Sequence, residues 1–332
     1  MFPFPRKKPE QDIEVKDLKP KNKRKRKEPV TPWSHKERIF LFIVLLFTII
    51  ASIIFAVRSH DAKLAKLSSP LSNTSQLVQN VIAKPTLDTA VLQKELSAIT
   101  QNLTGTYGIW VEDVSGSYTL GVSDKASFDG ASLFKLPLML AYYQAVDAGS
   151  LDPNTTYSLK ASDAASGAGS LANMAPGTVL TYRDIVSAMG KNSDNTAFQI
   201  MGNILGWSKI DAVLTQINMS DTSFDDSMTT PYDIGLLFAK LSKGELISNS
   251  SKAEFLTFLT NTSYEDYIPK GIPDDIRIAH KFATDDGELN DAGIVYSTRP
   301  FILVILAKDI DFTEARTAFP QIAQTVFDWS TK

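Results

Sequence analysis

A serine and a lysine three positions apart, Ser132 and Lys135, open an apolar run of helical period. On a helix this spacing places the hydroxyl and the amine on one face of the first turn. If burial lowers the pKa of Lys135 toward neutrality, its amine can take the proton of the Ser132 hydroxyl, which then becomes a nucleophile. The free N–H groups at a helix start can polarise an incoming carbonyl. The pair therefore predicts acyl-transfer chemistry that needs no histidine.

Two further segments carry residues that suit the same chemistry. Ser193, Asp194 and Asn195 lie in a predicted loop between two helices and offer a second hydroxyl and a side-chain amide. Lys281 lies on a predicted strand, where its amine can hold the Ser193 hydroxyl or attract an anionic group of a substrate. Taken alone, however, the Ser-Asp-Asn segment also fits the cap of a helix, and Lys281 also fits a solvated strand residue.

Histidine and cysteine are too scarce for the main alternative designs. The chain has three histidines and no cysteine. His280 is adjacent to Lys281 and, by strand alternation, points to the opposite face; His35 and His60 flank an apolar segment near the N-terminus. These counts exclude a Ser-His-Asp triad, a histidine-rich metal site, a disulfide framework and a lipid-modified cysteine. No metal or organic cofactor is predicted.

Charge is distributed unevenly along the 332 residues. Residues 1–38 hold 13 Lys and Arg against 6 Asp and Glu, which leaves 21 against 31 for the remainder of a chain whose formal net charge is −3. Residues 39–57 carry no charge and are numerous enough to cross the hydrocarbon core as a helix. The basic residues before this segment place the N-terminus in the cytoplasm by the positive-inside rule. The remainder of the chain is therefore predicted to be extracytoplasmic.

The apolar and basic segments also have other interpretations. A cleaved signal peptide would fit the apolar segment, but the basic region is long and no small-residue cleavage pattern follows. The basic run 23–27 could bind nucleic acid. Because it lies beside a predicted membrane span, however, a role in orienting the span and in contacting anionic lipid explains it better. We therefore expect no nucleic-acid partner. The predicted organisation is a basic disordered cytoplasmic tail (1–38), a transmembrane helix in contact with lipid (39–57), a stalk (58–84) and a catalytic domain (85–332).

From residue 85 onward the hydrophobic pattern predicts one α+β domain. Helical and strand patterns at the two ends enclose a mainly helical middle: a helix at 86–101, strands at 107–111, 118–122, 277–284, 291–297 and 301–308, and a final helix at 312–329. This order predicts a five-stranded antiparallel sheet built from both ends of the chain and flanked by helices, with the middle as an all-helical lobe. A site between sheet and lobe is the natural consequence.

The three motifs, in this order along the chain, resemble the serine β-lactamase and penicillin-binding protein superfamily, and most closely its class A β-lactamases. The resemblance covers about residues 85–332. It includes Thr229-Thr230-Pro231 followed by Asp233, and the strand pattern of residues 291–296. It implies the β-lactamase-like fold.

The resemblance also implies a role for each catalytic residue. Ser132 would attack an amide or lactam carbonyl and become acylated, with Lys135 as the base. Ser193 would pass a proton to the leaving nitrogen. Lys281 would hold Ser193 and serve the substrate carboxylate.

Two residues would bind the substrate in the same scheme. Asn195 would hold the amide side chain of the substrate. The backbone N–H of Thr284 would form an oxyanion hole together with that of Ser132, and donors aimed at developing charge supply a large share of the rate in such sites.

One departure from the family pattern follows the strand lysine. The family usually has Thr or Ser and then Gly, whereas this chain has Phe282 and Ala283. A hydroxyl that would help to hold the substrate carboxylate is lost. The two side chains are expected to add bulk at the edge of the cleft.

A second departure concerns deacylation. Class A enzymes carry a glutamate that activates the hydrolytic water on the loop that corresponds to residues 218–228, and this loop contains none. Asp225 or Asp226 could substitute, but a carboxylate one methylene shorter needs a different backbone position. General-base assistance contributes roughly 10²–10⁴ in rate, so we expect slow deacylation.

The sequence thus predicts a membrane-anchored, extracytoplasmic bacterial serine hydrolase that is acylated by β-lactams or peptide amides, with a role in β-lactam catabolism and the antibiotic response. A penicillin-binding DD-peptidase-like enzyme acting on cell-wall peptides is one alternative. A catalytically silent module that binds the cell wall is another. The two departures favour the silent module, whereas the presence of all the chemical side chains opposes it.

Overall fold

The computed structural model describes residues 35–36, 39, 44–48 and 87–332. The predicted stalk (58–84) and most of the predicted tail (1–38) and transmembrane helix (39–57) lie outside these residues. Among the described residues, no helix has both the length and the apolar character needed to cross a membrane. The chain divides into two compact units, residues 1–80 and residues 81–332, and all the elements named below belong to the second.

Between residues 87 and 332 the chain forms eight α-helices, nine strands and four short 3₁₀ turns. The helices are α1 (Thr89–Thr100), α2 (Lys135–Asp147), α3 (Tyr182–Lys191), α4 (Asn195–Leu205), α5 (Ser208–Ile217), α6 (Pro231–Lys243), α7 (Asn249–Phe258) and α8 (Phe312–Ser330). The strands are β1 (Thr106–Asp113), β2 (Thr119–Val122), β3 (Phe128–Asp129), β4 (Thr156–Ser158), β5 (Val179–Thr181), β6 (Met228–Thr229), β7 (Ile278–Asp285), β8 (Glu288–Val295) and β9 (Phe301–Lys308). The 3₁₀ turns are Ala131–Phe134, Ala161–Asp163, Leu171–Asn173 and Pro269–Gly271.

The predicted five-stranded antiparallel sheet is confirmed. Its strand order is β2-β1-β9-β8-β7, and every neighbouring pair is antiparallel. Strands from the beginning and the end of the domain therefore meet in one sheet, and β7 forms one of its edges. Two small two-stranded sheets, β3 with β6 and β4 with β5, were not predicted, because strands of two or three residues leave no readable alternation.

Side-chain caps fix where the helices near the site begin. A capping box starts α3: Thr181 accepts from the backbone N–H of Asp184, and the Asp184 carboxylate accepts from the backbone N–H of Thr181. Asp194 caps α4 by accepting from the backbone N–H of Ala197. Since α3 ends at Lys191, the segment 192–194 is a tight connection between two firmly placed helices.

Helix α2 runs through the middle of the helical lobe. Its first nine residues, Lys135 to Tyr143, are all buried, which is the pattern of a helix surrounded by protein on every side. The core has two parts: one packs the helical lobe against β7, β8 and β9, and the other packs α1 and α8 against the sheet. Lys135, at the start of α2, is therefore held at the boundary between lobe and sheet.

Candidate active site

The structure brings the Ser132 hydroxyl and the Lys135 amine together. Lys135 Nζ donates to Ser132 Oγ over 2.7 Å. Helix α2 begins at Lys135, so Ser132 lies in the 3₁₀ turn that precedes the helix and not in the first turn of the helix itself. The preceding residue, Ala131, has a φ of +43°, a strained conformation for a non-glycine residue and one that persists where the surrounding structure enforces it.

A second pair of hydroxyl and amine comes from the helical connection and the sheet edge. Lys281 Nζ on β7 donates to Ser193 Oγ over 2.7 Å and to the backbone carbonyl of Phe282 over 2.7 Å. Ser193 is buried and has a φ of +54°, so its backbone is also strained. An ammonium has three donors, so a protonated Lys281 keeps one for a further acceptor.

Asn195 connects these elements to the lobe. Its Oδ1 accepts from Lys135 Nζ over 2.9 Å, and its Nδ2 donates to the backbone carbonyl of Ser166 over 2.7 Å. Since the amide orientation is fixed at both ends, Asn195 presents its oxygen to the lysine. Ser132, Lys135, Ser193, Asn195 and Lys281 thus lie where sheet, α2 and the α3–α4 connection meet.

Burial shifts the pKa of both lysines downward. For Lys135 the loss of solvation lowers the pKa to about 8, although the nearby charge of Asp194 partly offsets this. For Lys281 burial and then the charge of Lys135 lower the pKa well below its ordinary value, against the opposing charge of Asp291. A substantial fraction of Lys135 is therefore unprotonated near neutral pH, as a base must be.

Asp194 is a positioning residue that the sequence indicated only as a helix cap. Besides capping α4, its carboxylate accepts from the backbone N–H groups of Ser170 and Leu171 over 2.7 and 2.9 Å. A Cβ on Gly169, which has a φ of +104°, would lie 2.1 Å from Asp194 Oδ2. Glycine is therefore required for the loop 164–177 to approach this closely. One buried carboxylate ties this loop to the segment that carries Ser193.

Four aromatic rings form one group beside the lysine: Phe134, Phe198, Trp207 and Phe224. Lys135 Nζ lies 5.3 Å from the centre of the Phe198 ring. Phe224, from the loop 218–228, stacks on Trp207 and contacts Phe134 edge to face. These apolar rings exclude water from one side of Lys135, consistent with its lowered pKa.

The expectation that Phe282 adds bulk at the cleft is wrong. Its ring is stacked between Tyr264 and Tyr267, with ring centres 4.9 and 4.8 Å away, in the part of the core that faces α8. Strand alternation places it opposite to Lys281. Ala283 is buried on the Lys281 side. The Tyr264 hydroxyl donates to the backbone carbonyl of Asn192 over 3.3 Å, so this stack supports the Ser193 segment from behind.

Thr284 lies three residues after Lys281 near the end of β7, and the 3₁₀ turn that carries Ser132 packs against this strand. The Thr284 hydroxyl donates to the backbone carbonyl of Glu288 over 2.8 Å, within the β7–β8 turn. Its side chain is thus used in the turn. The predicted role concerned its backbone N–H and stays a prediction.

The two candidate deacylation residues form no hydrogen bond to the lysines and serines of the site among the described residues. Asp225 and Asp226 are both exposed. Asp226 accepts from the Ser223 hydroxyl over 2.8 Å, a contact within its own loop. Among the described residues, neither carboxylate bonds to Ser132, Lys135 or Asn195.

His280 faces away from Lys281, as strand alternation predicts. Its ring is fully buried, with Nδ1 2.7 Å from Asp291 Oδ1 and Nε2 3.3 Å from Glu265 Oε1. Burial alone would lower its pKa, but the charge of Asp291 and the hydrogen bonds to both carboxylates outweigh it and raise the pKa to about 9. His280 is thus the cationic centre of an ion cluster behind β7.

Fold and site together define an enzyme of the serine β-lactamase type. A model of the Beta-lactamase enzyme family matches residues 91–330, and the chain therefore belongs to this family. A comparison with curated protein sequences returned no match.

Three solved structures with the same fold are between 19% and 24% identical in sequence to this chain. The beta-lactamase from Sphaerobacter thermophilus is 24% identical with a TM-score of 0.68, over 74% of this chain and 98% of that one. A mutant of PBP-A, solved as an acyl-enzyme complex with penicillin G, is 22% identical with a TM-score of 0.67, over 72% and 96%. The TLA-1 extended-spectrum β-lactamase is 19% identical with a TM-score of 0.67, over 74% and 99%.

Proposed function

We propose that this protein is a membrane-anchored, extracytoplasmic serine enzyme that is acylated at Ser132 by β-lactams or peptide amides and deacylates slowly. The observation that carries the proposal is the double pairing of Lys135 with Ser132 and of Lys281 with Ser193, each over 2.7 Å. The PBP-A mutant forms an acyl-enzyme with penicillin G on the same fold, which supports the choice of substrate class.

In the acylation step, Ser132 Oγ attacks the carbonyl carbon while its proton passes to the lone pair of neutral Lys135. The negative charge that develops on the carbonyl oxygen is stabilised by the backbone N–H groups of Ser132 and Thr284. The C–N bond then breaks, and the Ser193 hydroxyl donates its proton to the leaving nitrogen while it takes a proton from the Lys281 ammonium that donates to it. Lys135 keeps the proton of Ser132, so the total number of protons is unchanged. Lys281 orients Ser193 and uses its remaining donor for the carboxylate of the substrate.

Deacylation would need a water and a base. The loop 218–228 has no glutamate, and its aspartates are exposed with no bond to the site. Without general-base assistance, hydrolysis loses roughly 10²–10⁴ in rate. The acyl-enzyme would therefore persist, and this favours a penicillin-binding, peptidase-like behaviour over efficient β-lactam hydrolysis.

Labelling and turnover assays test the proposal on the full-length protein in a maltoside detergent. A fluorescent penicillin should label the protein covalently on the peptide that contains Ser132, and a chromogenic cephalosporin should show a burst of about one equivalent followed by slow turnover. Ser132→Ala should abolish the label, whereas Ser127→Ala, a change at an exposed serine, should leave it intact. Full labelling of Ser132→Ala would overturn the proposal. No labelling of the wild type would instead favour a silent wall-binding module.

The membrane anchor is proposed from residues 39–57, which are uncharged. The full chain should stay with membranes after an alkaline carbonate wash, and deletion of these residues should release it. Protease added outside intact spheroplasts should cleave the domain from residue 85 onward. Protection of the domain would place it on the cytoplasmic side and contradict the proposed orientation.

A further inference from the structure

A cavity of about 510 Å³ lies between the helical lobe and strand β8, in a part of the molecule that the proposed reaction does not use. Its wall comes from the ends of α3 and α6, from α7 and the segment after it, from β8, and from residues directly after β1, before β7 and after β8. None of the five side chains of the Ser132 site lines it. The cavity is thus separate from the catalytic centre.

Three cationic side chains line this cavity: Lys191, Lys252 and Arg277. No aspartate or glutamate is among its lining residues, although acidic residues outnumber basic ones after residue 38. Two other cavities, of about 600 and 770 Å³, both have carboxylates in their walls, and the one of about 770 Å³ shares Thr260, Asn261 and Arg277 with this cavity. The local excess of positive charge is therefore not an average property of this surface.

The three cations are not neutralised within the described protein. Lys252 Nζ donates to the backbone carbonyl of Ser242 over 3.0 Å, and Lys191 Nζ donates to that of Thr260 over 3.5 Å. Arg277 lies 4.9 Å over the Tyr296 ring. None of the three forms an ion pair with a carboxylate among the described residues. Each lysine ammonium therefore keeps two N–H donors, and the guanidinium of Arg277 keeps its planar set of N–H donors, for a bound group.

The remaining donors fit one kind of ligand. Two ammonium groups and a guanidinium can neutralise a doubly charged oxyanion, and a guanidinium fork matches two oxygens of one phosphate. A phosphate carries about −1.5 to −2 charges at neutral pH when it is a monoester. The contact with the Tyr296 ring restricts the guanidinium of Arg277 and so reduces the entropy that it loses on binding.

We propose that the cavity bounded by Lys191, Lys252 and Arg277 is a binding site for a phosphate group, as free phosphate or as a phosphate ester of a larger molecule. Charge neutralisation and the spare donors drive the binding. The chemistry shared by these ligands is the tetrahedral oxyanion.

Calorimetric titration of the full-length protein in a maltoside detergent tests this site. The probes are inorganic phosphate, glycerol 3-phosphate and the diester glycerophosphoglycerol, with sodium acetate as the anion control. We expect saturable one-site binding of at least one phosphate probe and none of acetate. Binding of the diester indicates a polymer or headgroup source, and binding of only the first two indicates a small phosphate.

Charge-removing substitutions locate the site. Lys191→Gln, Lys252→Gln and Arg277→Gln should each weaken the affinity about tenfold, since a charge-assisted hydrogen bond is lost. Arg277→Lys should fall between wild type and Arg277→Gln. Lys209→Gln, an equivalent change in another cavity, should bind like wild type. Saturable binding that none of the three substitutions weakens would overturn the assignment.

A measurement on the unmodified chain makes the result independent of the folding of the variants. An amine-acetylating reagent is applied with and without phosphate, and modified lysines are quantified by mass spectrometry. Phosphate should slow the modification of Lys191 and Lys252 and leave Lys209 unchanged. The proposal would be refuted if phosphate left the modification rates of Lys191 and Lys252 unchanged. It would also be refuted if no phosphate probe showed saturable binding.

Discussion

Replacing Asn195 by aspartate would put a carboxylate where Lys135 now donates to an amide oxygen over 2.9 Å. The pKa of Lys135 is lowered to about 8, mainly by burial. A negative charge in contact with an ammonium raises its pKa by about 1–3 units. At pH 7.5, a pKa of about 8 leaves roughly a quarter of Lys135 unprotonated, and a shift of about 2 units leaves roughly 0.3%. Acylation of Ser132 in Asn195→Asp should therefore be about 100-fold slower at this pH.

The assay is stopped-flow acylation by a fluorescent penicillin between pH 6 and pH 10.5. In the wild type the rate should rise about tenfold per pH unit and level off above about pH 8, since the unprotonated amine is the base. In Asn195→Asp the levelling should move up by about 2 units. Asn195 is also proposed to bind substrate, and a loss of binding lowers the plateau without moving the inflection, so the two effects separate.

Asn173→Asp adds the same charge at an exposed position and should keep the wild-type profile. If the inflection stays in place in Asn195→Asp, the titrating base is not the amine of Lys135. A wild-type rate that still rises tenfold per unit at pH 10 would show that the pKa of Lys135 is not lowered. Either result would refute the proposed activation of Ser132.

Three further outcomes are expected. Phe282→Thr should lower the free energy of unfolding by about 3 kcal/mol in denaturant titrations, because it empties the stack between two tyrosines; improved acylation at unchanged stability would contradict this placement. Asp194→Ala should destabilise the fold by about 3 kcal/mol and increase proteolysis within residues 164–177, since three backbone N–H groups lose their acceptor, whereas Asp194→Asn should retain part of both. The pKa of His280 is raised to about 9, so its stabilisation is complete below about pH 6.5 and is lost as pH rises through 9, by about 3 kcal/mol. The lysines of lowered pKa have the opposite effect, because they stabilise the fold more as pH rises above 8. The contribution of His280 should therefore be measured as the difference in the free energy of unfolding between wild type and His280→Gln. A difference that does not change with pH would contradict this prediction.

How well the sequence predicted each strand of this fold depends on the length of the strand. Strands of eight residues such as β9 carry a clear pattern, and the sheet and the lobe were predicted from such patterns. The pairs β3–β6 and β4–β5 were missed because their strands are too short. The pairing of Ser132 with Lys135 followed from helical spacing. The residue types at Ser193 and Lys281 suited the same chemistry, but only the family resemblance indicated that they lie in the same site.

The long-range contacts of Asp194 and the exposure of two aspartates could not be predicted from the sequence pattern, whereas the direction of the Phe282 side chain could. Asp194 showed a capping signal, but its two bonds to the loop 164–177 are long-range contacts that no local period encodes. The exposure of Asp225 and Asp226 depends likewise on the tertiary path of their loop. The direction of Phe282, by contrast, follows from the alternation that places His280 opposite to Lys281. Its departure from the family motif therefore changes the packing behind the site more than the shape of the cleft.

The two buried lysines are best understood as one coupled system. The charge of Lys135 helps to lower the pKa of Lys281, and because the interaction between two charges is mutual, a charged Lys281 must favour the neutral form of Lys135. Lys281, which lies on the edge strand β7, donates to Ser193 and keeps one donor for the carboxylate of a substrate. An anion bound there raises the pKa of Lys281 and fixes its charge. That charge in turn favours loss of the proton from Lys135. In the proposed mechanism we therefore expect an anionic substrate to prepare the base that activates Ser132.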